Sequence, residues 1–390
     1  MSPVQYKTDI AIVGGGIAGL WLLNLLRDRG FDTVLLEKRA LGNGQTVASQ
    51  GMIHGGIKYA LGGLLTDASE TIAAMPARWQ ACLDGCGELD LRGVKTLSTD
   101  YYLFSDARLT SKITAFFGSK AIDGRVKPVS KEHAPEALRH QDFKGLIYQL
   151  QDLVLDPVSL LEQLARRHAD SIRIGDIKLD SHDSSVRAIT LADGSLVKAK
   201  LYIFAAGSGN GPMIDQLQLP VTMQQRPLHQ VVVHGGDLPA LFAHAVSLRS
   251  ADKPRLTITT HGTANGNHAW YLGGQLAETG VDRSDASQIR HAKTELSAIF
   301  PWLSFDRCQF STHRIDRAEP GQKDQGRPDT PYARRFDNSL VCWPTKLTLA
   351  PMLGDMVLKE IDFEGSGSAQ TNFGSNYRIG EAPWEADHEA

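Results

Sequence analysis

Between residues 9 and 37 the chain reads strand, glycine turn, helix, strand, and that order leaves few folds open. DIAIV (9–13) is an apolar run of strand length, Gly14-Gly15-Gly16 follow, IAGLWLLNLLRDR (17–29) is an apolar-rich helix stopped at Gly30, and TVLL (33–36) is a second strand ended by Glu37. Gly14, Gly16 and Gly19 have the spacing of a phosphate-binding turn. One glycine permits the turn, the next lets backbone approach a pyrophosphate, and the third lets helix pack on strand. The helix start at Ile17 and Ala18 offers unpaired N–H groups and partial positive charge to the phosphates. Glu37 places a carboxylate where ribose hydroxyls are met, which fits FAD or NAD and disfavours a 2′-phosphate.

At 390 residues the chain exceeds one hydrophobic core, and two domains are expected. A formal charge of -3 gives no reason to expect nucleic acid as a partner. The cysteines are Cys82, Cys86, Cys308 and Cys342; the first two are helically spaced, no second pair completes a metal site, and no metal is expected. Sparse cysteines fit a reducing compartment. Met1 to Asp9 carry no apolar stretch, and no apolar run reaches the roughly 18 residues of a membrane span. A cytoplasmic protein is expected, with peripheral docking on a membrane surface left open.

Further along, helices are expected over 67–85, 109–117, 157–168 and 285–299, the third capped by Asp156 with Pro157 at its first position. Strands are expected at 101–104, within 171–206 around an Asp193-Gly194 turn, at 229–234, 244–248, 255–260, 269–272 and 307–312, and at 339–343 leading into a helix 347–361.

Three stretches carry a family resemblance. Residues 9–39 resemble an FAD fingerprint ending in Glu-Lys, LYIFAAGSGN (201–210) a strand ending in small residues beside the cofactor, and KLTLAPMLG (346–354) a segment whose helix start points at the flavin ring. In these the chain resembles the D-amino-acid oxidase/glycerol-3-phosphate dehydrogenase superfamily. The resemblance implies FAD and an α/β fold: a Rossmann-like FAD domain of the glutathione-reductase type with an antiparallel-sheet substrate domain. The expected division is 1–95, 141–225 and 335–362 for the FAD domain, 96–140 and 226–334 for the substrate domain, and 363–390 as a mobile tail. Implied cofactor contacts, beside the turn and Glu37, are Lys38, Arg39, Ser49, Gln50, Gly51, Ile177, Ala206, Gly207, Lys346, Leu347 and Thr348.

Within the family, His54-Gly55-Gly56-Ile57-Lys58-Tyr59 and Lys346-Leu347-Thr348 resemble strings of glycerol-3-phosphate dehydrogenases, which implies Lys58, Tyr59 and Lys346 on the substrate side. Lys58 stands where those enzymes have an arginine, and the chain is expected to be without their C-terminal helical domain. The expected chemistry is oxidation of a C–H next to OH on a small anionic substrate, a 2-hydroxy acid or a glycerol-3-phosphate-like compound, by hydride transfer to flavin N5. Anchors for a small anionic substrate are Lys58, Arg314 and Arg317, with Arg314 favoured; His54, His229 and His313 are candidates for the proton. Amino-acid or amine oxidation is the alternative, and an FAD-binding assembly or electron-relay protein without turnover is the alternative of another class. The electron acceptor stays open among oxygen, a quinone and a carrier protein.

Overall fold

The computed structural model describes residues 3–56, 72–105, 126–246, 254–324, 326–367 and 370–385. β1 (Gln5–Val13) is buried from Thr8 onward and runs parallel to both neighbours, β2 (Thr33–Glu37) and Leu196–Phe204. A strand covered on both faces needs an unbroken apolar run, which DIAIV supplies. The first sheet has the order Ile177–His182, Ser185–Leu191, Leu196–Phe204, β1, β2, Ile172–Ile174, and the hairpin Tyr332–Phe336/Ser339–Trp343 joins it alongside Leu196–Phe204. α1 (Ile17–Asp28) is buried from Ile17 through Leu26. It packs with Pro157–Arg167 and Ala350–Lys359 into the main apolar core. Asp156 caps Pro157–Arg167, accepting from the Ser159 N–H at 2.7 Å.

Among the described residues the second sheet has eight strands, in the order Gln309–Pro320, Met223–His234, His268–Gly273, Leu256–Gly262, Ala243–Val246, Tyr101–Ser105, Leu146–Leu150, Val126–Pro128. Asp285–Ile299 packs Ala292 and Leu296 into its own apolar core. Leu146–Leu150 is expected with the FAD domain but pairs with Tyr101–Ser105 in this second sheet, so the chain returns to the first sheet later than residue 141. The return at the C-terminal side begins at Tyr332 rather than 335, because that strand pairs with Ser339–Trp343. The late helix is also shorter than expected: a 3-10 turn, Leu347–Leu349, precedes the α-helix Ala350–Lys359. The helix expected at 109–117 lies outside the described residues. No helix among the described residues is long and apolar enough to cross a membrane.

The segment after residue 363, expected as a mobile tail, lies against the body over its described residues. Thr371 donates to both carboxylate oxygens of Asp32, and Phe373 packs edge-on against Tyr6 at 4.8 Å. Leu41 and Ile379 form a parallel bridge, and Trp384 is 2% exposed, stacked on His261 at 3.6 Å. Two aromatic residues and paired backbone outweigh the polar, glycine-rich composition that suggested mobility.

That stack has a pH consequence. Burial, then Lys95, pulls the His261 imidazole from 6.5 down to about 3. Below pH 6.5 the unfolded chain takes up a proton that the folded chain refuses, so stability falls as pH drops from 6.5 toward about 3. Urea midpoints measured from pH 7 to 4 should fall less steeply for His261→Gln than for the parent; parallel curves would show that His261 is not the group responsible.

Candidate functional site

A cavity of about 370 Å3 opens where the carboxyl ends of β1 and Leu196–Phe204 meet the second sheet. Gly14 to Ala18, Glu37, Gly42 to Thr46 and Ala205 to Ser208 line one side. The strand ends of a parallel sheet are where α/β folds bind ligands. Gly14 has φ +113°, and a Cβ there would stand 2.5 Å from the Ala206 Cα. A Cβ on Gly19 would overlap the Gly14 carbonyl, so Gly19 serves the packing of α1 on β1 behind the turn. Glu37 accepts from the Gly15 N–H at 2.7 Å and the Arg39 N–H at 3.0 Å, which fixes its carboxylate at the cavity edge. Thr46 Oγ1 accepts from the Ile17 N–H at 3.1 Å, tying the loop to the helix start. The turn is bare backbone beside a helix N-terminus with an oriented carboxylate, which fits a dinucleotide.

The second sheet contributes Leu228, Gln230 and Ile315 to Ala318 to the lining, Cys342 to Leu347 enter it from the strand paired with Leu196–Phe204, and Ser49 and Gln50 complete it. Met223–His234 pairs antiparallel with Gln309–Pro320, setting Leu228 opposite Ile315 and Arg226 opposite Arg317. Alternate residues share a face, so Leu228, Gln230, Ile315 and Arg317 point together. The Gln230 side chain is set by the Tyr271 hydroxyl, 2.7 Å from its Oε1, and Gln50 Nε2 donates to the Tyr271 carbonyl at 2.9 Å. Arg317 has a side chain 21% exposed, 3.4 Å from Glu278. Burial, then Arg226, draws its pKa down from the ordinary 12.5. The Lys346 side chain is 8% exposed, and its ammonium donates to the Pro328 and Asp329 carbonyls at 3.2 Å each.

A family model described as FAD dependent oxidoreductase matches residues 9–357. The chain belongs to this family. The oxidoreductase is 46% identical over 365 residues to the probable FAD-dependent oxidoreductase PA4991 of Pseudomonas aeruginosa, with 93% of each chain covered. The crystal structure of PA4991 superposes with a TM-score of 0.84 over 98% of both chains. Glycine oxidase from Geobacillus kaustophilus (TM-score 0.67, 16% identity, 96% and 100% covered) and L-α-glycerophosphate oxidase from Mycoplasma pneumoniae with FAD bound (0.68, 15%, 94% and 98%) share the fold.

FAD is the oxidoreductase's cofactor, and the cavity gathers many of the residues expected to hold it: Gly14, Gly16, Ile17, Ala18, Glu37, Ser49, Gln50, Ala206, Gly207, Lys346 and Leu347. Others stand off the wall. Lys38 is an exposed side chain 3.6 Å from Asp176, and Arg39 contributes its backbone to Glu37. Gly51 packs under the Leu155 carbonyl, and Ile177 pairs with Leu191 at the outer edge of the first sheet. Thr348 is buried behind the wall, where its hydroxyl accepts from the His54 N–H at 3.0 Å and donates to the Met52 carbonyl at 3.2 Å. The HGG string and the late motif are therefore stapled together, with His54 behind the cavity rather than on it.

Two catalytic candidates turn away. His229 lies on the opposite face of its strand from Gln230, with Nδ1 2.9 Å from the Gly280 carbonyl and Nε2 3.2 Å from Asp285. Arg314, paired with His229, donates to the Val281 carbonyl at 2.8 Å and reaches Asp285. Of the two arginines, Arg317 is the one at the cavity. No histidine stands on the described cavity wall. Lys58 and Tyr59 lie outside the described residues. Cys342 reaches the wall, but burial pushes its thiol up, and a protonated thiol is a poor nucleophile for covalent flavin attachment. Sequence reading missed Gly42 to Thr46 and Gln230. The signal for Gln230 was available: if His229 is buried against Asp285–Ile299, its strand neighbours face the other way.

Proposed function

We propose that the enzyme oxidises a C–H next to a hydroxyl on a small anionic substrate, of the 2-hydroxy acid or glycerol-3-phosphate kind, and passes the electrons to a separate acceptor. The observation that carries this is the pair of largely buried cations, Arg317 and Lys346, that both line the cavity. A carboxylate or phosphate answers that charge, whereas a free ammonium beside the reacting carbon is repelled by it. Bound FAD supplies the hydride acceptor. The chain supplies the rest: Arg317 holds the anionic end in a forked contact, and Lys346 adds a point charge. Gln230, set by Tyr271, offers an oriented amide beside them.

The test is anaerobic mixing of flavin-loaded enzyme with a panel of 2-hydroxy acids, glycerol 3-phosphate, and D- and L-amino acids, followed by flavin absorbance. Hydroxy compounds carrying an anion should bleach the flavin; bleaching by amino acids alone would replace this reading with amine oxidation. A flavin that no member reduces would point to a role without small-molecule turnover.

A further inference from the structure

We propose that the C-terminal strap, residues 377–385, is part of the flavin site: it positions the loop 40–46 that lines the cavity, and so sets how tightly FAD is held. The Leu41 N–H donates to the Arg378 carbonyl at 2.8 Å, and the Gly380 N–H donates to the Leu41 carbonyl at 2.8 Å. Arg378 Nε donates to the Arg39 carbonyl at 3.2 Å. Gly380 lies so close that a Cβ there would stand 2.8 Å from the Asn43 Cα. The next residues, Gly42 to Thr46, are cavity wall. They pass the strap's position directly to the phosphate turn: the Gly42 N–H donates to the Gly15 carbonyl at 2.8 Å, and Thr46 caps the Ile17 N–H.

The far end of the strap braces the other wall. Trp384 stacks on His261 and meets Tyr271 edge-on at 5.2 Å. The Tyr271 hydroxyl lies 3.1 Å from the Ala48 carbonyl and 2.7 Å from Gln230 Oε1, and both Ala48 and Gln230 line the cavity. Glu385 accepts from the Ala264 N–H at 3.0 Å, which fixes the strap beyond Trp384. The loop between Glu37 and Gln50 has Leu41 and Val47 in the main apolar core, and the strap adds backbone bonds at Leu41 and a close contact at Asn43. With the strap in place, its ordering is complete before FAD arrives; without it, FAD binding must do that work.

The role is one of positioning, and the readouts are the FAD dissociation constant of deflavinated full-length protein, by flavin fluorescence, and the melting temperature of the same preparation. Gly380→Val pushes on Asn43 and should raise the FAD Kd by about tenfold or more. Phe373→Ala loosens the same segment at its remote contact with Tyr6, and should lower the melting temperature while leaving the Kd as it was. A parental Kd in Gly380→Val overturns the proposal, as does a rise in both variants that merely tracks lost stability. Should Gly380→Val not fold, Trp384→Ala takes its place, with Kd raised by about tenfold and restored in Trp384→Phe; a parental Kd in Trp384→Ala overturns the proposal equally.

Discussion

A Gly14→Ala enzyme is expected to purify colourless and to take up added FAD at least about a hundredfold more weakly than the parent. Two costs combine. Gly14 holds φ +113°, where an L residue is strained by roughly 1–2 kcal/mol. The added methyl also meets the Ala206 Cα at 2.5 Å and the Ala205 carbonyl carbon at 2.6 Å, backbone that cannot swing aside, for a further 1–3 kcal/mol or so. The free protein can relieve both by shifting the turn, but a shifted turn no longer presents its backbone to the pyrophosphate. The relief is thus charged to binding, and roughly 1.4 kcal/mol is a factor of ten. Gly30→Ala is the matched control: its φ is +86°, with nothing within 4 Å of the new methyl. It should lose a little stability and keep its flavin. Full occupancy and parental affinity in Gly14→Ala would remove the glycine turn from the cofactor site.

The contrast between these two glycines shows what the sequence could convey. The turn at 14–19 was legible because local spacing dictates it: a strand of apolar residues, bare backbone and a helix start must adjoin in space. Asp156-Pro157 was legible for the same reason, since a cap is settled within four residues. What depends on long-range pairing was less so. Arg314 and Arg317 are equally basic in THRIDRAEP, and only the register that sets Arg317 opposite Arg226 and Arg314 opposite His229 shows which faces the cavity. His229 looked like chemistry because histidines titrate near neutrality, yet its ring is held by Gly280 and Asp285 from an element more than fifty residues away. The C-terminal segment misled through composition: GSGS resembles a linker, and the partners that hold it, Asp32, Leu41 and His261, are distant in sequence. Thr348 was expected at the cofactor and instead ties the late motif to His54, a contact between residues nearly three hundred positions apart.

Arg317→Ala should keep its flavin and its visible spectrum while losing about 100- to 1,000-fold in the second-order rate of flavin reduction by whichever anionic substrate the panel identifies. A charged group paired in a desolvated site typically costs about 2–5 kcal/mol when one partner is removed, which spans that range. Most of the loss should fall on substrate affinity, because the guanidinium grips the anion before and during transfer alike. Arg317→Lys keeps the charge but loses the fork, and should recover only part of the rate. The Ala variant also removes a cation 3.4 Å from Glu278. Glu278→Gln therefore has to be measured beside it, and Arg317→Ala/Glu278→Gln should remain as slow as Arg317→Ala if the arginine acts on the substrate. Were the double variant to regain the parental rate, the defect would belong to the charge on Glu278 instead. Arg314→Ala is the decisive comparison: its guanidinium is committed to the Val281 carbonyl and Asp285 on the outer face, so the rate should change less than about twofold. A large loss in Arg314→Ala with none in Arg317→Ala would mean that the register of these two strands, and with it the assignment of the anionic subsite, is wrong.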